Sequence, residues 1–452
     1  MLRRFIGLVA LFCAALLFAA EAKPKYIILF IGDGMSVPQR MVAETYSLQS
    51  GRGRLAINAM PMQGTTTTNS SNAIITDSAA AATAIACGEK TVNGRLGLDP
   101  TGERRLQSVA ELAKERGKKV GIITSVTINH ATPAGFYAHR KSRGELYGIG
   151  LDLVASGFDF FGGGGLADMF NDQKAKDYQG NIYELAEKAG YKVIREDKAA
   201  FEALQPGMGK VFVVGKEGTL PYMIDYDAST FELSELTAKA IAMLEDSPTG
   251  FFLMVESGKI DYAGHANDAA ANLKEVLVLD KSVKCALDFQ AKHPDETLVV
   301  VTGDHETGAM SMGFAGTGGQ LRLQLLDNQK CSVGVFDEKL KAAQKNNENF
   351  SFEDAKAMLT EYFGFDFTNQ KSPMFVKEET VKKMEQAFKG ELDKTTLPAV
   401  ARQTISGLAG VSWASGGHSA LPVLTTAKGV GAEIFEGSLD NTDISKKLKE
   451  LL

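Results

Sequence analysis

Cysteine and tryptophan are scarce in this sequence, which has 4 cysteines and 1 tryptophan among 452 residues. Cys13 lies in an N-terminal apolar stretch, and the remaining cysteines are Cys87, Cys285 and Cys331. Because an odd number follows that stretch, at least one thiol has no partner within the chain. A disulfide-stabilised scaffold is therefore excluded, and we expect Cys87, in an alanine-rich segment, to be a small buried hydrophobic residue.

The sequence also lacks an excess of positive charge, since 49 Lys and Arg are outnumbered by 55 Asp and Glu, for a net charge of −6. A mildly acidic surface argues against nucleic acid as a specific partner. The composition, 44% hydrophobic and 23% charged, is typical of a globular protein with a large core.

Long apolar runs are absent after the N-terminus. Arg3 and Arg4 precede an apolar run over residues 5–20, and the tripeptide Ala-Glu-Ala ends at residue 22. This pattern is typical of a secretory signal peptide, so we expect residues 1–22 to be removed and the protein to be exported, either periplasmic or secreted. The run is short for a membrane span, and no hydrophobic C-terminal tail follows. We therefore expect no membrane span after cleavage; an N-terminal anchoring helix is the less favoured alternative.

Apolar strand patterns alternate with helix patterns along most of the chain. Continuous apolar runs predict buried strands at residues 26–31, 120–126, 210–215, 250–255 and 297–302. Helical spacing of apolar residues predicts intervening helices at 106–113, 181–187, 233–244 and 273–287. The alternation predicts an α/β fold with a mostly parallel central sheet and helices on both faces. Residues 162–165, four successive glycines, predict a sharp turn, and residues 421–425 predict a late strand.

The pattern changes over residues 314–410, which are richer in Lys, Glu, Gln and Asn and contain several short amphipathic pieces. We interpret this stretch as an insertion or cap within one domain, residues 23–452.

Residues 75–83 form the segment with the most distinctive local pattern. Asp77 is a preferred helix N-cap, the following alanines are strong helix formers, and Gly88 is a typical stop. Ser78 therefore lies in the first turn of a helix, where free N–H groups and the helix dipole favour an anion. Taken alone, the pattern favours an ordinary serine in a tightly packed structural helix over a functional one.

Polar residues that could bind metals cluster just after the predicted strands. Ligands of open α/β sheets bind outside the carboxyl ends of the strands, and a set of His, Glu, Asp and Thr suits zinc together with a harder ion such as magnesium. Singly, each residue has a structural interpretation as a turn, cap or hydrogen-bonded pair. The joint placement favours a site; its members are Asp33, His130, Thr132, Glu256, Asp261, His265, Asp304, His305 and His418.

These residues resemble the sequence blocks of the alkaline phosphatase family. Residues 75–83 fit that family's nucleophile pattern at every position, and the other matching blocks follow in the family's order. They are Gly32-Asp33-Gly34-Met35, His130-Ala131-Thr132-Pro133 with Arg143, Glu256 through Asp261 to His265, Asp304-His305-Glu306-Thr307, and Gly416-Gly417-His418. The resemblance spans nearly the whole chain after residue 22. It implies hydrolysis of phosphate monoesters through a phosphoserine on Ser78.

The resemblance also implies three metal sites. Two zinc ions and one magnesium ion are expected, and Ser78 lies beside the second zinc. The first zinc would be held by Asp261, His265 and His418, the second by Asp33, Asp304 and His305, and the magnesium by Asp33, Thr132 and Glu256. Coordination would turn the weakly nucleophilic Ser78 hydroxyl into an alkoxide, and the two zinc ions would clamp the transferred phosphoryl group.

Three further expectations follow from the resemblance. Arg143 is expected to bind two phosphate oxygens in a fork, favouring monoesters over diesters. Some family members have Asp at the position of His130 and Lys at that of Tyr262. His130 is expected to bind the third metal directly or to contact the phosphate. Either zinc or magnesium could therefore occupy the third metal site. Residues 314–410 fall where the family has its variable crown, and a homodimer is expected.

Two rival interpretations remain at this stage. A related sulfatase would need its nucleophile followed by x-Pro-x-Arg, whereas Ser78 is followed by alanines. A phosphodiesterase relative would usually have Thr as the nucleophile and no counterpart of Arg143. Together with a phosphoglycerate mutase, these enzymes of the same superfamily form the first rival interpretation. The second rival, a non-catalytic metal- or phosphate-binding protein, would usually have lost a ligand or the nucleophile.

Overall fold

The computed structural model describes residues 23–167, 172–216 and 218–452; the predicted signal peptide, residues 1–22, lies outside them. One ten-stranded sheet runs through the molecule. No helix in the described ranges combines the length and apolar character needed to cross a bilayer. From one edge to the other, the strands are Gly437–Asp440, Met62–Thr67, Val423–Gly429, Thr297–Gly303, Tyr26–Gly32, Phe251–Ser257, Lys119–Thr127, Phe160–Gly164, Lys210–Val214 and Tyr191–Arg195.

The sheet is mostly parallel, as the sequence predicts. Only Val423–Gly429 runs against its neighbours; all other pairings within the sheet are parallel. The central strand Tyr26–Gly32 is in register with both neighbours, because Gly32 lies opposite Ser257 on one side and Gly303 on the other. The carboxyl ends of three strands that are distant in sequence therefore meet at one edge.

Helices cover both faces of this sheet, as predicted. Side chains alternate between the faces along the central strand: Tyr26 and Phe30 pack into one core, while Ile27 and Ile31 pack into the other. The α-helices are Val37–Gln49, Ala56–Ala59, Ser78–Cys87, Val109–Glu115, Ala131–Ala134, Leu146–Ser156, Ile182–Lys188, Lys198–Glu202, Leu233–Leu244, Lys259–His265, Ala269–Lys292, Val333–Asn346, Phe352–Phe363, Glu378–Phe388, Leu397–Ala409 and Asn441–Leu451.

The four-glycine turn predicted at residues 162–165 is wrong in its position. The first three glycines belong to the strand Phe160–Gly164, and at Gly163 and Gly164 the neighbouring backbone comes too close for any side chain. A Cβ at Gly163 would lie 2.8 Å from the Thr124 carbonyl oxygen, and one at Gly164 would lie 2.6 Å from that of Val126. Glycine serves close packing here rather than a change of direction.

Residues 314–410 are helical and add no strand to the ten-stranded sheet. Four helices, beginning with Val333–Asn346 and ending with Leu397–Ala409, pack their apolar faces onto one of the two cores. The chain then returns through Val411–Trp413, which pairs with Met310–Met312 in a small antiparallel sheet. The boundaries of the predicted insertion thus coincide with the two strands of this small sheet. Its role as a crown stays a prediction.

The helix Ser78–Cys87 is buried along its entire length. Gly135 follows the short helix Ala131–Ala134, and a Cβ there would lie 2.8 Å from the Ala82 Cβ atom. Small residues therefore allow the two helices to approach closely, which fixes the distance between Ser78 and Thr132. Cys87 is buried at the end of the longer helix, as expected, and the three described cysteines are free.

We predict that Gly135→Ala destabilises the fold by about 1–3 kcal/mol, because the added methyl group overpacks this contact. The midpoint of urea unfolding measures the change. Gly334→Ala is the matched control: Gly334 lies in the helix Val333–Asn346, and a Cβ there meets no atom within 4 Å, so the control is expected to be neutral or slightly stabilising. An unchanged midpoint for Gly135→Ala would contradict the prediction.

Candidate active site

The nucleophile candidate occupies the first turn of its helix, as predicted. The Asp77 carboxylate accepts a hydrogen bond from the Ala80 N–H at 3.0 Å and so caps the helix Ser78–Cys87, which stops at Gly88 in a left-handed conformation. The Ser78 side chain is 2% exposed, and its Oγ atom lies 3.2 Å from the His305 Nε2 atom. The hydroxyl thus faces the predicted metal ligands.

His305 Nε2 is the centre of the first group of candidate ligands. It lies 3.3 Å from Asp33 Oδ1 and 3.4 Å from Asp304 Oδ2, as well as beside Ser78. Asp33 follows the central strand and Asp304 follows its neighbour, so the aligned strand ends bring these two carboxylates together. Asp33, Asp304 and His305 are fully buried, and their ligand atoms lie within 4.8 Å of one another.

The second group surrounds Asp261, in the helix Lys259–His265. Asp261 Oδ1 lies 3.3 Å from His265 Nε2 and 3.5 Å from His418 Nε2. The structure also brings the His305 ring into this group, because it stacks on the His418 ring with a centroid distance of 3.6 Å. His265 is more exposed and lies at the rim, where its ring contacts the Gly416 carbonyl oxygen at 2.7 Å.

The third group shares Asp33 with the first. Thr132 donates a hydrogen bond to Asp33 Oδ2 at 3.4 Å, and Asp33, His130 and Glu256 place ligand atoms within 4.8 Å of one another. Thr124 donates a hydrogen bond to the Glu256 carboxylate from the adjacent strand. The structure therefore brings together all the predicted ligands, and His130 takes part in the third group by position.

Burial and mutual repulsion perturb the carboxylates strongly. Burial first, and then the neighbouring charges Asp304, Asp261 and Glu256, hold the pKa of Asp33 well above its ordinary value. Burial also raises the pKa of Glu256 to about 8 and that of Asp304 to about 7. Like charges that share a buried site cannot all ionise without compensation.

The imidazoles respond in opposite directions. Burial, followed by repulsion from Arg143, lowers the pKa of His130 to about 3, and burial lowers the pKa of His305 as well. Burial opposes ionisation of Asp261, but the hydrogen bond with His418 and the attraction of the His305, His265 and His418 rings together outweigh it and lower the Asp261 pKa; the pKa of His418 is raised. Neutral imidazoles are the form that binds metals.

The donors fit divalent cations. Four buried carboxylates converge, and within the described part of the chain Asp33 Oδ1, Asp304 Oδ2, Glu256 Oε1 and His130 Nδ1 have no hydrogen-bond partner. Buried charges and unpartnered polar atoms are costly unless they are paired or coordinate metals. A bound cation would satisfy these atoms and remove the repulsion.

Arg143 lies beside the helix N-terminus and the third ligand group. Its guanidinium donates to Asp77 Oδ2 at 3.0 Å and contacts His130 Nε2 at 3.1 Å. Asp77 therefore serves twice, since one carboxylate oxygen caps the nucleophile's helix and the other orients Arg143. The sequence reveals the first role through the capping pattern; no local signal reveals the second.

Sequence reasoning also missed hydrogen-bond partners behind the ligands. Thr307 donates to the Asp261 carboxylate, and Thr124 donates to Glu256. Thr124 lies inside a predicted strand, and nothing in the local sequence indicates that its hydroxyl contacts a ligand. Thr307 follows the Asp304-His305 pair by two positions, and that adjacency was the available hint.

Comparison with known proteins places these observations in a family. The profile of the alkaline phosphatase family matches residues 24–452. Alkaline phosphatase 3 of Bacillus subtilis strain 168 is 31% identical over 438 residues, which cover 95% of this chain and 89% of that protein.

Solved structures agree with the sequence relatives. The cold-active alkaline phosphatase of Shewanella sp. superposes with a TM-score of 0.80 at 28% identity, covering 94% of this chain and 99% of that one. A variant of the alkaline phosphatase from the Antarctic bacterium TAB5, with a histidine replaced by aspartate and magnesium in its M3 site, gives 0.67 at 26% identity, covering 95% and 98%. This chain therefore belongs to the alkaline phosphatase family and is a metal-binding phosphomonoesterase.

Proposed function

We propose that the enzyme hydrolyses phosphate monoesters through a covalent phosphoserine on Ser78. The Ser78 Oγ atom would attack phosphorus as the ester P–O bond breaks, and water would then hydrolyse the phosphoserine to restore the hydroxyl. The observation that carries this proposal is the position of Ser78 Oγ, 3.2 Å from His305 Nε2 at the N-terminus of a buried helix. Free N–H groups there favour the phosphate.

We assign two zinc ions and one magnesium ion to the ligand groups. Mixed nitrogen and oxygen donors suit zinc, whereas oxygen donors suit magnesium. When bound, these ions would supply Lewis-acid stabilisation of the attacking and leaving oxygens. The proposed sets are Asp261, His265 and His418 for one zinc, Asp33, Asp304 and His305 for the other, and Asp33, Thr132 and Glu256 for magnesium.

The identity of the third ion depends on His130, which shares a ligand group with Asp33 and Glu256. The His130 Nδ1 atom is buried and has no hydrogen-bond partner among the described residues. A nitrogen donor shifts preference toward zinc. The TAB5 variant binds magnesium in its M3 site after replacement of a histidine by aspartate. We therefore propose that His130 lets the third group accept either zinc or magnesium. Metal analysis of a His130→Asp variant tests this proposal, because its magnesium content should differ from that of the wild type.

Arg143 and Asp77 would select for monoesters. With one edge of the guanidinium held by Asp77, the remaining N–H groups can grip two phosphate oxygens that carry no ester group. A monoester has a third free oxygen that could face the cations while Arg143 holds the other two, whereas a diester has only two free oxygens in all. The enzyme is thus expected to hydrolyse an aryl phosphate faster than an aryl phosphodiester or an aryl sulfate, and equal rates would contradict the assigned role of Arg143.

We further propose that residues 1–22 are a cleaved signal peptide and that the exported chain, residues 23–452, is one domain with a crown-type insertion at 314–410. The basic and apolar pattern of the first twenty residues supports the export proposal. The mass of the protein recovered from the periplasm or medium would identify its first residue as Lys23.

A homodimer is proposed as well. Val37 and Met41 project from one face of their helix, and each is 39% exposed; Leu421, two residues before the strand Val423–Gly429, is 42% exposed. The Ser36 hydroxyl donates to the Pro422 carbonyl oxygen, which keeps these apolar side chains in the same region. Exposed apolar patches mark association surfaces. Sedimentation as a monomer at micromolar concentration would contradict the proposal.

We predict that Ser78→Ala abolishes turnover of an aryl phosphate, by a factor on the order of 10⁴ or more, because the covalent intermediate cannot form. The metal content measured on the same protein should be unchanged. Ser406→Ala is the control, since Ser406 is a buried helical serine whose hydroxyl has no hydrogen-bond partner. Hydrolysis by Ser78→Ala at a rate near that of the wild type would refute the covalent mechanism.

A further inference from the structure

Glu306 is a buried acidic residue with no role in the mechanism above. Its carboxylate accepts four hydrogen bonds, two on each oxygen. Gln39 Nε2 at 2.7 Å and the Met310 N–H at 3.1 Å donate to Oε1, while the Ala309 N–H at 3.0 Å and the Ser419 hydroxyl donate to Oε2. Since all four partners are donors, only an acceptor on both oxygens satisfies this set.

The four contacts stabilise a strained turn. Ala309 has a φ of 46° and Gly308 a φ of 95°, and the left-handed conformation is unfavourable for alanine. The Glu306 carboxylate accepts hydrogen bonds from the N–H groups of Ala309 and Met310, which follow Gly308, and so compensates for this strain. The turn presents the Gly308 N–H to the Gly417 carbonyl oxygen at 2.9 Å.

Two hydrogen bonds, one to Glu306 and one to the turn, hold the loop that bears His418. The strand His418–Ser419 pairs with Glu306–Thr307, so that His418 lies opposite Thr307 and Ser419 opposite Glu306. The Ser419 hydroxyl bonds to Glu306, and Gly417 is held by the turn that Glu306 stabilises. Glu306 therefore binds the chain directly after His418, at Ser419, and acts on Gly417 before it only through the turn, while its carboxylate hydrogen-bonds to none of the proposed ligands.

We propose that Glu306 is a positioning residue that fixes His418 toward Asp261 and thereby sets the affinity for the cation in the group Asp261, His265 and His418. The inference rests on the proposed function, which assigns that group to zinc. Partners that orient a ligand from behind typically change metal affinity 10- to 100-fold when they are removed.

Glu306→Gln tests the inference with almost no change in volume. The new amide nitrogen would face the Gln39 and Met310 N–H donors on one side or the Ala309 N–H donor on the other, so the turn would loosen and His418 would lose its fixed position. We expect zinc affinity at one site to fall about tenfold or more, measured by competition between the folded protein and a chelator. Ser419→Ala, which removes only the link beside His418, should weaken binding about three- to tenfold.

Glu44→Gln is the matched control. Glu44 is a buried carboxylate that accepts hydrogen bonds from the Leu55 N–H at 2.8 Å, from Asn58 at 3.0 Å and from Arg54 at 3.2 Å. It contacts none of the proposed ligands, so Glu44→Gln should lower the urea midpoint without changing zinc affinity. Loss of affinity from general destabilisation would appear in both Gln variants.

The outcomes separate the inference from the proposed function. The inference is supported if zinc affinity is lower in Glu306→Gln and Ser419→Ala but unchanged in Glu44→Gln. Wild-type affinity in Glu306→Gln, or an equal loss in Glu44→Gln, overturns it while leaving the zinc assignment intact. If Glu306→Gln does not fold, Ser419→Ala decides by the same criterion. A wild-type protein that takes up no zinc refutes the metal assignment, and this inference with it.

Discussion

The convergence of four buried carboxylates on one small volume is the constraint on which this structure depends. Asp33, Glu256, Asp261 and Asp304 are each at most 4% exposed, and repulsion among them would oppose folding if all were ionised. Arg143 is the cation that faces them, and it is already paired with Asp77. Divalent cations resolve this conflict, and the same cations would activate the hydroxyl of Ser78. The electrostatic cost of the cluster and its chemistry thus have one common origin.

The parallel sheet makes that convergence possible. Because Gly32, Ser257 and Gly303 are in register, residues more than two hundred positions apart reach the same edge. The helix Ser78–Cys87 then approaches this edge through contacts between small residues, with Ala82 against Gly135. Behind the ligands, Thr124, Thr307 and Glu306 fix side chains through hydrogen bonds. Rigid strands thus set the coarse positions of the site, and buried polar contacts set the fine ones.

Much of this arrangement could be predicted from sequence, because its signals are local. Asp77 as a cap, Ser78 in the first turn and Asp33 after a buried strand each follow from a short pattern. The ligand groups came from resemblance, since no local pattern pairs Asp33 with His305. The four-glycine segment misled for a physical reason: glycine permits close packing as readily as a turn, and Gly163 packs against Thr124. Glu306 escaped notice because Gln39 and Ser419, two of its four donors, are distant from it in sequence.

The most direct test of the account is the stability of the metal-free protein as a function of pH. With the pKa of Glu256 raised to about 8 and that of Asp304 to about 7, the folded metal-free chain holds protons that the unfolded chain has lost. Its free energy of unfolding should therefore fall as pH rises from about 5 to 8. Protein loaded with zinc and magnesium should show a much smaller fall, to which buried Glu275, outside the ligand groups and with its pKa raised to about 7, still contributes. Metal-free protein that is equally stable at both pH values would contradict the account.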